Sequence, residues 1–600
     1  MNLGVDFGSS TSYFSRWNPV HKLPEAITVG FNNSPGVPTL VTIPELGGDW
    51  ECGHSAREHI TRSEYKHFRA CKMLLNAKHE EWKKHDDYSD EFTPEIIAKF
   101  FLENQVEAAL EACEESVVSR MVLCVPELWA KGIRVPDPKE TLYQICRNIP
   151  QVKKGGGNVE IVTEPEAASA YTAYCCREMA NNNQFKGYLL IVDYGGGTLD
   201  ITLTEVDTVM QDAKEVIRIS TRGSCGVGEN HNGRIGAAGI SYMTRLTEMF
   251  LCSVRPDLCD PTDSTRIANY QRQSVIESSL FLGLYHEVEN AVIVSGRQRL
   301  ERAFQRNSAN PEGQMPQDPA SVRTIIVPDS QGNSMAAPLT VGMLYRAYTD
   351  TIEAVLEKEL NKMKPTLEKY VADPYNLNCT NFKIVLVGGF GKYILVERQL
   401  QRYFEVNNAE ADHRLDTRLA TQRETAISLG AALIANDEVT VRRTAPLSLG
   451  IFGRSGVEGR TFYNAIVYGQ IMEEEVVYYV RQNPSPDKPE EGIIPIRYNA
   501  EQPPEFAIYF SDDQTKAYPR NMIRDYWKDH IVLTSNTECA LGFRIDDSNV
   551  ISLVISEFKD KNHAGKILRE IRLDCYEKMF GYTGIVFDTD EPFVRLHPIS

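Results

Sequence analysis

Apolar residues along this chain gather in short runs that stop at glycine, proline or acidic residues, which is the pattern of buried strands. Met121-Val-Leu-Cys-Val125 before Pro126, Ile161-Val-Thr163 and Phe382-Lys-Ile-Val-Leu-Val387 are such runs, and residues 1 to about 45 read as strands joined by polar turns. Helical spacing interrupts them. A short helix is predicted from Lys66 to Asn76, and His79 to Asp90 reads as a charged, solvated loop. Thr93-Pro94 supplies an N-cap and a first helical residue. From there Ile96/Ile97, Phe100/Phe101, Val106 and Leu110 mark an amphipathic helix to about Glu115. An Ala-rich helix follows Glu164-Pro165. Arg302 to Ala337, rich in Asn, Pro, Gln and Ser, reads as an insertion or mobile loop, and Val341 to Lys364 as a helix. Glu424 to Ala435 is a small-residue helix able to pack closely through Gly430-Ala-Ala432. Beyond Asn436 the texture changes. Val476–Val480, Phe506–Phe510 and Val550–Ile555 are short alternating runs separated by Gly, Pro, Asp and Asn, so residues 446–600 form a separate β-rich domain. Lys561 to Lys578 is given at most one helix, with Leu568, Ile571 and Leu573 as its apolar face, and Gly584–Phe587 reads as strand. Pattern therefore predicts strand-rich α/β halves over residues 1–436, a linker at 437–445 and the β domain.

Two of the strand-and-turn segments repeat one another: Leu3-Gly-Val-Asp-Phe-Gly-Ser-Ser-Thr11 and Ile191-Val-Asp-Tyr-Gly-Gly-Gly-Thr-Leu-Asp200. Each strand ends in an aspartate and passes into a turn of Gly, Ser and Thr. Short side chains let successive backbone N–H groups converge on anionic oxygens without a lysine. Gly195, Gly196 and Gly197 provide such a run, and Ser9, Ser10, Thr11 and Thr198 add hydroxyls. Asp6 and Asp193, at matching places, suit Mg²⁺, a hard ion that prefers oxygen and keeps much of its water. Neither turn is a Walker loop or a dinucleotide fingerprint. Either segment alone could be an ordinary glycine-rich hairpin; the pair points to two related half-domains closing on a polyphosphate with a metal ion.

Composition narrows the partners. With 82 acidic against 64 basic residues the formal charge is −18, which opposes electrostatic capture of nucleic acid or of an anionic membrane. No uncharged apolar stretch reaches membrane-spanning length and the start carries no signal-like segment, so a cytoplasmic protein is expected. The thirteen cysteines lack C-x-x-C spacing and several sit in apolar runs, as Cys124 does, so reduced core thiols are expected. Adjacent Cys175-Cys176 is a redox candidate, yet the reading as reduced core thiols prevails there too. Glu164, just ahead of a helix, reads on its own as a capping carboxylate.

Taken in order, these segments resemble the actin-like ATPase superfamily, and within it the seventy-kilodalton heat-shock chaperones. Asp6-Phe-Gly-Ser-Ser-Thr11 corresponds to the first phosphate loop and Asp193–Asp200 to the second. Val125-Pro126 with Thr163-Glu-Pro-Glu-Ala-Ala168 matches the connecting region, Val387-Gly-Gly389 the adenosine motif, and Pro446-Leu-Ser-Leu-Gly-Ile451 the entrance to the β domain. The last segment selects the chaperone branch over actins, sugar kinases and cell-shape filament proteins. The resemblance covers residues 1 to about 435 well and the rest loosely. It implies an α/β, two-lobed actin-like ATPase with ribonuclease H-like halves, followed by a β-rich C-terminal domain.

The resemblance also implies roles. ATP or ADP with Mg²⁺ would be the cofactor, with Asp6 and Asp193 orienting the hydrated ion. Gly8, Ser9, Ser10, Thr11, Gly195, Gly196, Gly197 and Gly228 would cradle phosphates, and Thr198 would contact the γ-phosphate or the attacking water. Lys72, with Lys66 as the fallback, would be the phosphate-facing lysine, and Glu164 would order the water. Gly388, Gly389 and Lys392 would hold adenosine. A polypeptide client or dedicated protein partner is implied, with a J-domain protein and a nucleotide-exchange factor as helpers. Departures stand beside this. Phe390 and Lys392 replace a small hydroxyl residue and an arginine, and lysine lacks the planar face that stacks on a base. Glu424 replaces an aspartate, and no Glu-x-x-Lys-x-x-x-Ser helix is recognisable around Glu277. The linker Asp437-Glu-Val-Thr-Val-Arg-Arg443 carries two arginines, predicting weakened docking, and the helical lid is missing. Alternatives are a nucleotide-regulated scaffold or filament protein with weak or no hydrolysis, or a small-molecule kinase, for which no acceptor-side base is identified.

Overall fold

The two largest sheets in the first three-quarters of the chain share a four-strand pattern in the computed structural model. The described residues are 1–406, 422–572 and 594–595. Outside the description within these bounds lie 31–33, 76–81, 84–86, 131–137, 180–184, 212–213, 229–237, 329–330, 377–378, 446–447, 456–458, 468–469, 474–475, 482–491, 499–505, 512–515, 518–521, 524–536, 546–550 and positions 61, 63, 277, 443 and 471. The first sheet holds β1 (Asn2–Asp6), β2 (Thr11–Asn18), β3 (Leu23–Ala26), β4 (Arg120–Val125) and β5 (Val159–Thr163) in the order β3-β2-β1-β4-β5, with the short strand Gly36–Pro38 also paired to β2. β1 is antiparallel to β2 and parallel to β4. The second sheet holds β6 (Gly187–Tyr194), β7 (Leu199–Gln211), β8 (Lys214–Val227), β9 (Phe382–Val387) and β10 (Val439–Arg442) in the order β9-β6-β7-β8-β10. β6 repeats the arrangement of β1, antiparallel to β7 and parallel to β9. The repeat seen in sequence is thus a repeat of four strands, β3-β2-β1-β4 and β8-β7-β6-β9; the fifth strands join opposite edges, β5 beside β4 and β10 beside β8. The whole is mixed α/β with several open sheets.

β6 is apolar at successive positions because both its faces are covered. Leu190, Val192 and Tyr194 enter one core, while Leu189 and Ile191 enter the layer between the two sheets. That layer is filled by α2 (Glu164–Met179) and α5 (Ala426–Ala435), which pack on each other and on both sheets. Small residues are required there. A Cβ on Gly430 would fall 1.7 Å from the Ala167 carbonyl oxygen, and one on Gly4 of β1 2.3 Å from the Ala432 nitrogen. α1 (Pro94–Ala112) covers the outer face of the first sheet, its start capped by the Thr93 hydroxyl accepting from the Ile96 N–H. α3 (Gly239–Val254) and α4 (Ser279–Ala291) pack together beside the second sheet.

Several expected elements differ. Lys66–Asn76 is a strand over Tyr65–Arg69 and then a short helical turn, Cys71–Leu74; Ala70, at φ +52°, turns one into the other. His79–Asp90 lies partly outside the described residues. Arg302–Ala337 contains an antiparallel hairpin of Ser321–Pro328 with Ser334–Thr340, whose Val322, Ile325, Val327, Ala337 and Leu339 are buried. Alternation hidden among polar residues built a strand pair where composition suggested a loop. The helix expected at 341–364 breaks at Ile352 into Val341–Thr351 and Glu353–Tyr370.

The segment read as linker is also different. Val439–Arg442 forms β10, parallel to β8 with Val439 opposite Ile217 and Val441 opposite Ile219. Backbone pairing supplies the docking, so the arginine at 442 does not prevent it. Past residue 446 every described regular element is a strand. β11 (Ser448–Ser455), β12 (Gly459–Ile466) and β13 (Phe506–Ser511) form one antiparallel sheet. β14 (Thr537–Ile545), β15 (Ile551–Phe558) and β16 (Ala564–Arg572) form another, and Leu449, Ile451, Phe543, Leu553 and Ile571 share their core. The helix expected within Lys561–Lys578 is β16 as far as Arg572; Ile571 is buried while Leu568 is exposed, so no helical face exists. Leu573 and Gly584–Phe587 lie outside the described residues. Among the described residues no helix is long and apolar enough to cross a membrane.

Candidate functional site

Asp6 is the last residue of β1 and Asp193 the penultimate residue of β6, each strand flanked by an antiparallel hairpin partner and a parallel neighbour. Asp6 is level with Tyr13 and Cys124, Asp193 with Asp200 and Val387. The carboxyl end of a strand at such a switch in direction is where open α/β sheets leave room for a ligand. Both aspartates are buried. The turns that follow them abut across the seam. A Cβ on Gly196 would lie 2.4 Å from Ser10 Oγ, and one on Gly197 3.0 Å from Ser9 Oγ and 2.9 Å from Met73 Sδ. Gly195 N–H donates to the Thr198 carbonyl at 2.9 Å, closing the second turn. Its Gly195 and Gly196 carbonyls accept from the first N–H groups of α3, those of Gly239 and Ile240.

Lys72 and Glu164 meet beneath this seam, both almost wholly buried, with the Lys72 ammonium donating to Glu164 Oε1. The ammonium also stands 5.8 Å from the centre of the Trp129 ring. Burial would lower the Lys72 pKa, but Glu164 and Asp6 overcome it and hold the group charged. Lys66, the other candidate, lies over the Phe92 ring instead. Asp6 has its carboxyl pushed up to about 7 by burial and by Glu164, against the pull of Lys72. Asp193 is held well above the usual carboxylate range by burial, then by Glu164, Asp200 and Asp6. Three carboxylates thus share one ammonium.

That imbalance tests the fit of a cation. Asp193 Oδ2 is buried without a hydrogen-bond partner, a state that costs about 1–3 kcal/mol or more for a charged group. A divalent ion between Asp6 and Asp193 would answer both the orphaned oxygen and the excess negative charge. Among the described residues no group of three or more His, Cys, Asp or Glu is arranged to hold a metal, so an ion here would be largely water-ligated, as suits Mg²⁺.

The remaining predicted residues divide. Gly8, Ser9, Ser10 and Thr11 form the first turn, where a Cβ on Gly8 would meet the Thr11 carbonyl oxygen at 2.0 Å. Thr198 is buried at the end of the second turn, against Gly228, whose added Cβ would lie 2.7 Å from its methyl. Gly388, at φ +83°, passes so close to Asp193 that a Cβ would stand 2.5 Å from Oδ1; only glycine fits. Gly389 is open to solvent, and Lys392 closes the short turn Phe390–Lys392. Phe390 packs behind the second loop, its ring centre 5.5 Å from Tyr194, 5.1 Å from Tyr242 and 4.9 Å from Tyr393. Its size is therefore matched by an aromatic cluster.

A cavity of about 630 Å³ opens beside the first turn, lined by Ser9, Ser10 and Thr11 on one side and by α3 and α4 residues on the other. Arg57, Arg69, Arg245, Arg266 and Arg272 are among the residues that line it. Arg57 bridges it, donating to His286 Nδ1 at 2.8 Å and Glu289 at 3.4 Å.

Sequence reasoning missed four buried polar groups. Arg423 donates to the Gly391 carbonyl and Glu397, both at 3.2 Å, and its own carbonyl accepts from Gly388 N–H, so it fixes the Gly388 turn. Glu127 accepts from Ser224 at 2.7 Å, Glu166 from the Thr163 N–H at 2.9 Å, and Asp200 is wholly buried. Asp200 and Glu166 stood inside recognised motifs, as the closing residue of the second phosphate-loop segment and within Thr163–Ala168, but neither had an expected role. No protein-family model and no curated protein sequence matches the chain.

Proposed function

We infer that the chain is an actin-like, chaperone-type ATPase of the cytoplasm: residues 1–436 bind ATP with Mg²⁺ between the two turns, and the nucleotide state governs the β domain at 446–600. The observation that carries this reading is the placement of Asp6 and Asp193 at corresponding ends of β1 and β6, each strand between an antiparallel hairpin partner and a parallel neighbour, with their small-residue turns face to face. Mg²⁺, when bound, supplies charge neutralisation on the phosphates. The chain's own residues do the rest. Backbone N–H groups and hydroxyls of Ser9 to Thr11 and Gly195 to Thr198 hold phosphate oxygens. Glu164 and Thr198 orient the attacking water, while Lys72 faces the phosphate chain. Catalysis is positioning and charge stabilisation with no covalent protein intermediate. Slow turnover suits a switch, read out through β10 at the sheet edge. The β domain takes a polypeptide client or a dedicated protein partner, with a J-domain protein and an exchange factor as regulators.

A second reading is favoured by one observation. Lys72 and Glu164 are paired with each other, an arrangement that suits binding without turnover, as in a nucleotide-regulated scaffold or filament protein. Single-turnover hydrolysis of radiolabelled ATP with Mg²⁺ decides between them, alongside equilibrium binding. The ATPase reading expects hydrolysis that falls at least about a hundredfold in Asp193→Asn and Thr198→Ala. Tight binding without hydrolysis selects the scaffold, and absence of binding overturns both.

A further inference from the structure

Outside the nucleotide cleft, one pair of nucleophilic side chains is brought together by the fold. Cys252 stands in the last turn of α3, and Cys259 follows a short 3₁₀ turn, Pro256–Leu258, that reverses the chain. The return places Cys259 Sγ 3.5 Å from the Cys252 carbonyl oxygen and 3.4 Å from that of Arg255, so the Cys259 thiol folds back onto the last turn of α3 beside Cys252. Their surroundings differ. Cys252 is in the core at 3% exposure, whereas Cys259 is half-buried. Cys175 and Cys176, the pair the sequence suggested, are neighbours on α2, where consecutive side chains diverge.

We propose that Cys252 and Cys259 are an oxidation-sensitive thiol pair that a hydroperoxide converts to a disulfide. Cys259, the reachable sulfur, attacks the peroxide oxygen as thiolate. The O–O bond breaks, hydroxide or alkoxide leaves, and Cys259 becomes a sulfenic acid. The Cys252 sulfur then attacks Cys259 Sγ, the S–O bond breaks, and the hydroxyl leaves with the Cys252 proton as water. Two thiols are oxidised and one hydroperoxide is reduced, so no further reactant is needed.

The bond would fasten a wall that is already tied by hydrogen bonds. Glu248, one turn before Cys252 on α3, accepts from the Ile267 N–H at 3.0 Å and from Arg272 at 3.1 Å. Arg245 donates to the Thr265 hydroxyl at 2.8 Å, and Ala268 N–H to the Leu258 carbonyl at 3.0 Å. Arg245, Glu248, Arg266 and Arg272 line the cavity beside the first turn. The disulfide therefore clips one side of that cavity to itself, whatever the cavity holds.

The test uses the full chain, reduced, desalted and exposed to hydrogen peroxide, then alkylated and digested with trypsin without reductant. Because Arg255 precedes Pro256, trypsin spares that bond and both cysteines remain in the peptide 246–266. The expected product is this peptide two hydrogens lighter and unalkylated, taking two alkyl groups only after reduction. Peroxide-treated Cys252→Ala should give a Cys259 sulfenic acid trapped by dimedone, and hydrogen exchange across 258–268 should slow in the oxidised native chain. Full alkylation of both cysteines after peroxide has oxidised other thiols would overturn the proposal. So would Cys259 passing to the sulfinic acid in the native chain without cross-linking.

Discussion

Replacing Lys72 by methionine removes the one ammonium that faces Asp6, Glu164 and Asp193 while nearly keeping the volume of the side chain, so the change is electrostatic rather than a cavity. Losing one member of a buried ion pair costs about 3–5 kcal/mol, because the other charge is left unpaired. Here the cost depends on pH. Asp6 is pushed up to about 7 from its model-compound value of 3.8. Between those values the folded chain holds a proton that the unfolded chain releases. The stability this proton contributes is present below the unfolded value and is lost as pH rises toward 7. Without Lys72, which pulls the Asp6 and Asp193 pKa values down, both carboxyls move further up. Each proton retained steepens the fall in stability by about 1.4 kcal/mol per pH unit. The deficit of Lys72→Met should thus be smallest near pH 5 and largest near pH 8. The double variant Lys72→Met/Glu164→Leu should recover part of it, since the carboxylate bonded directly to Lys72 and repelling Asp6 and Asp193 is then gone as well. Hydrogen exchange at the β1 and β6 amides, followed by mass spectrometry at several pH values, reads this local stability without assuming one global transition. A deficit below about 1 kcal/mol at pH 8, or one that does not vary with pH, would refute the assignment of Lys72 as the counter-charge of this cluster.

Further outcomes follow from the same geometry. Binding of Mg²⁺ with ATP at pH 6.5 should release protons, because a divalent ion stabilises ionised Asp6 and Asp193; calorimetry in two buffers of different ionisation enthalpy measures the number, and zero release contradicts a cation between them. Gly430→Val should lower the melting temperature through a loss of at least about 1–3 kcal/mol, since its side chain meets the Ala167 carbonyl where α5 crosses α2, and differential scanning calorimetry checks it. Val439→Pro should free β10 from β8 by removing a ladder donor and a buried contact, so trypsin should cut at Arg442 several times faster than in the native chain.

Local signals carried the sequence reading as far as they reach. The strand, aspartate and small-residue turn of Leu3–Thr11 and of Ile191–Asp200, the Thr93-Pro94 helix start and the close-packing Gly430 helix are each written in neighbouring residues, where burial, capping and the space around a missing Cβ act over a few positions. The sequence by itself therefore determined the repeated half-domain and the placement of Asp6 and Asp193. Tertiary structure decided what depended on distant partners. It brought Lys72 and Glu164 into an ion pair across 92 positions, and set Arg423 behind the Gly388 turn. It also made Val439–Arg442 a strand, because a sheet edge pairs through backbone groups that every residue but proline carries and so leaves little side-chain signature. A buried charge likewise shows its partner only once the chain has brought the two together, since its cost is repaid by geometry rather than by spacing along the sequence.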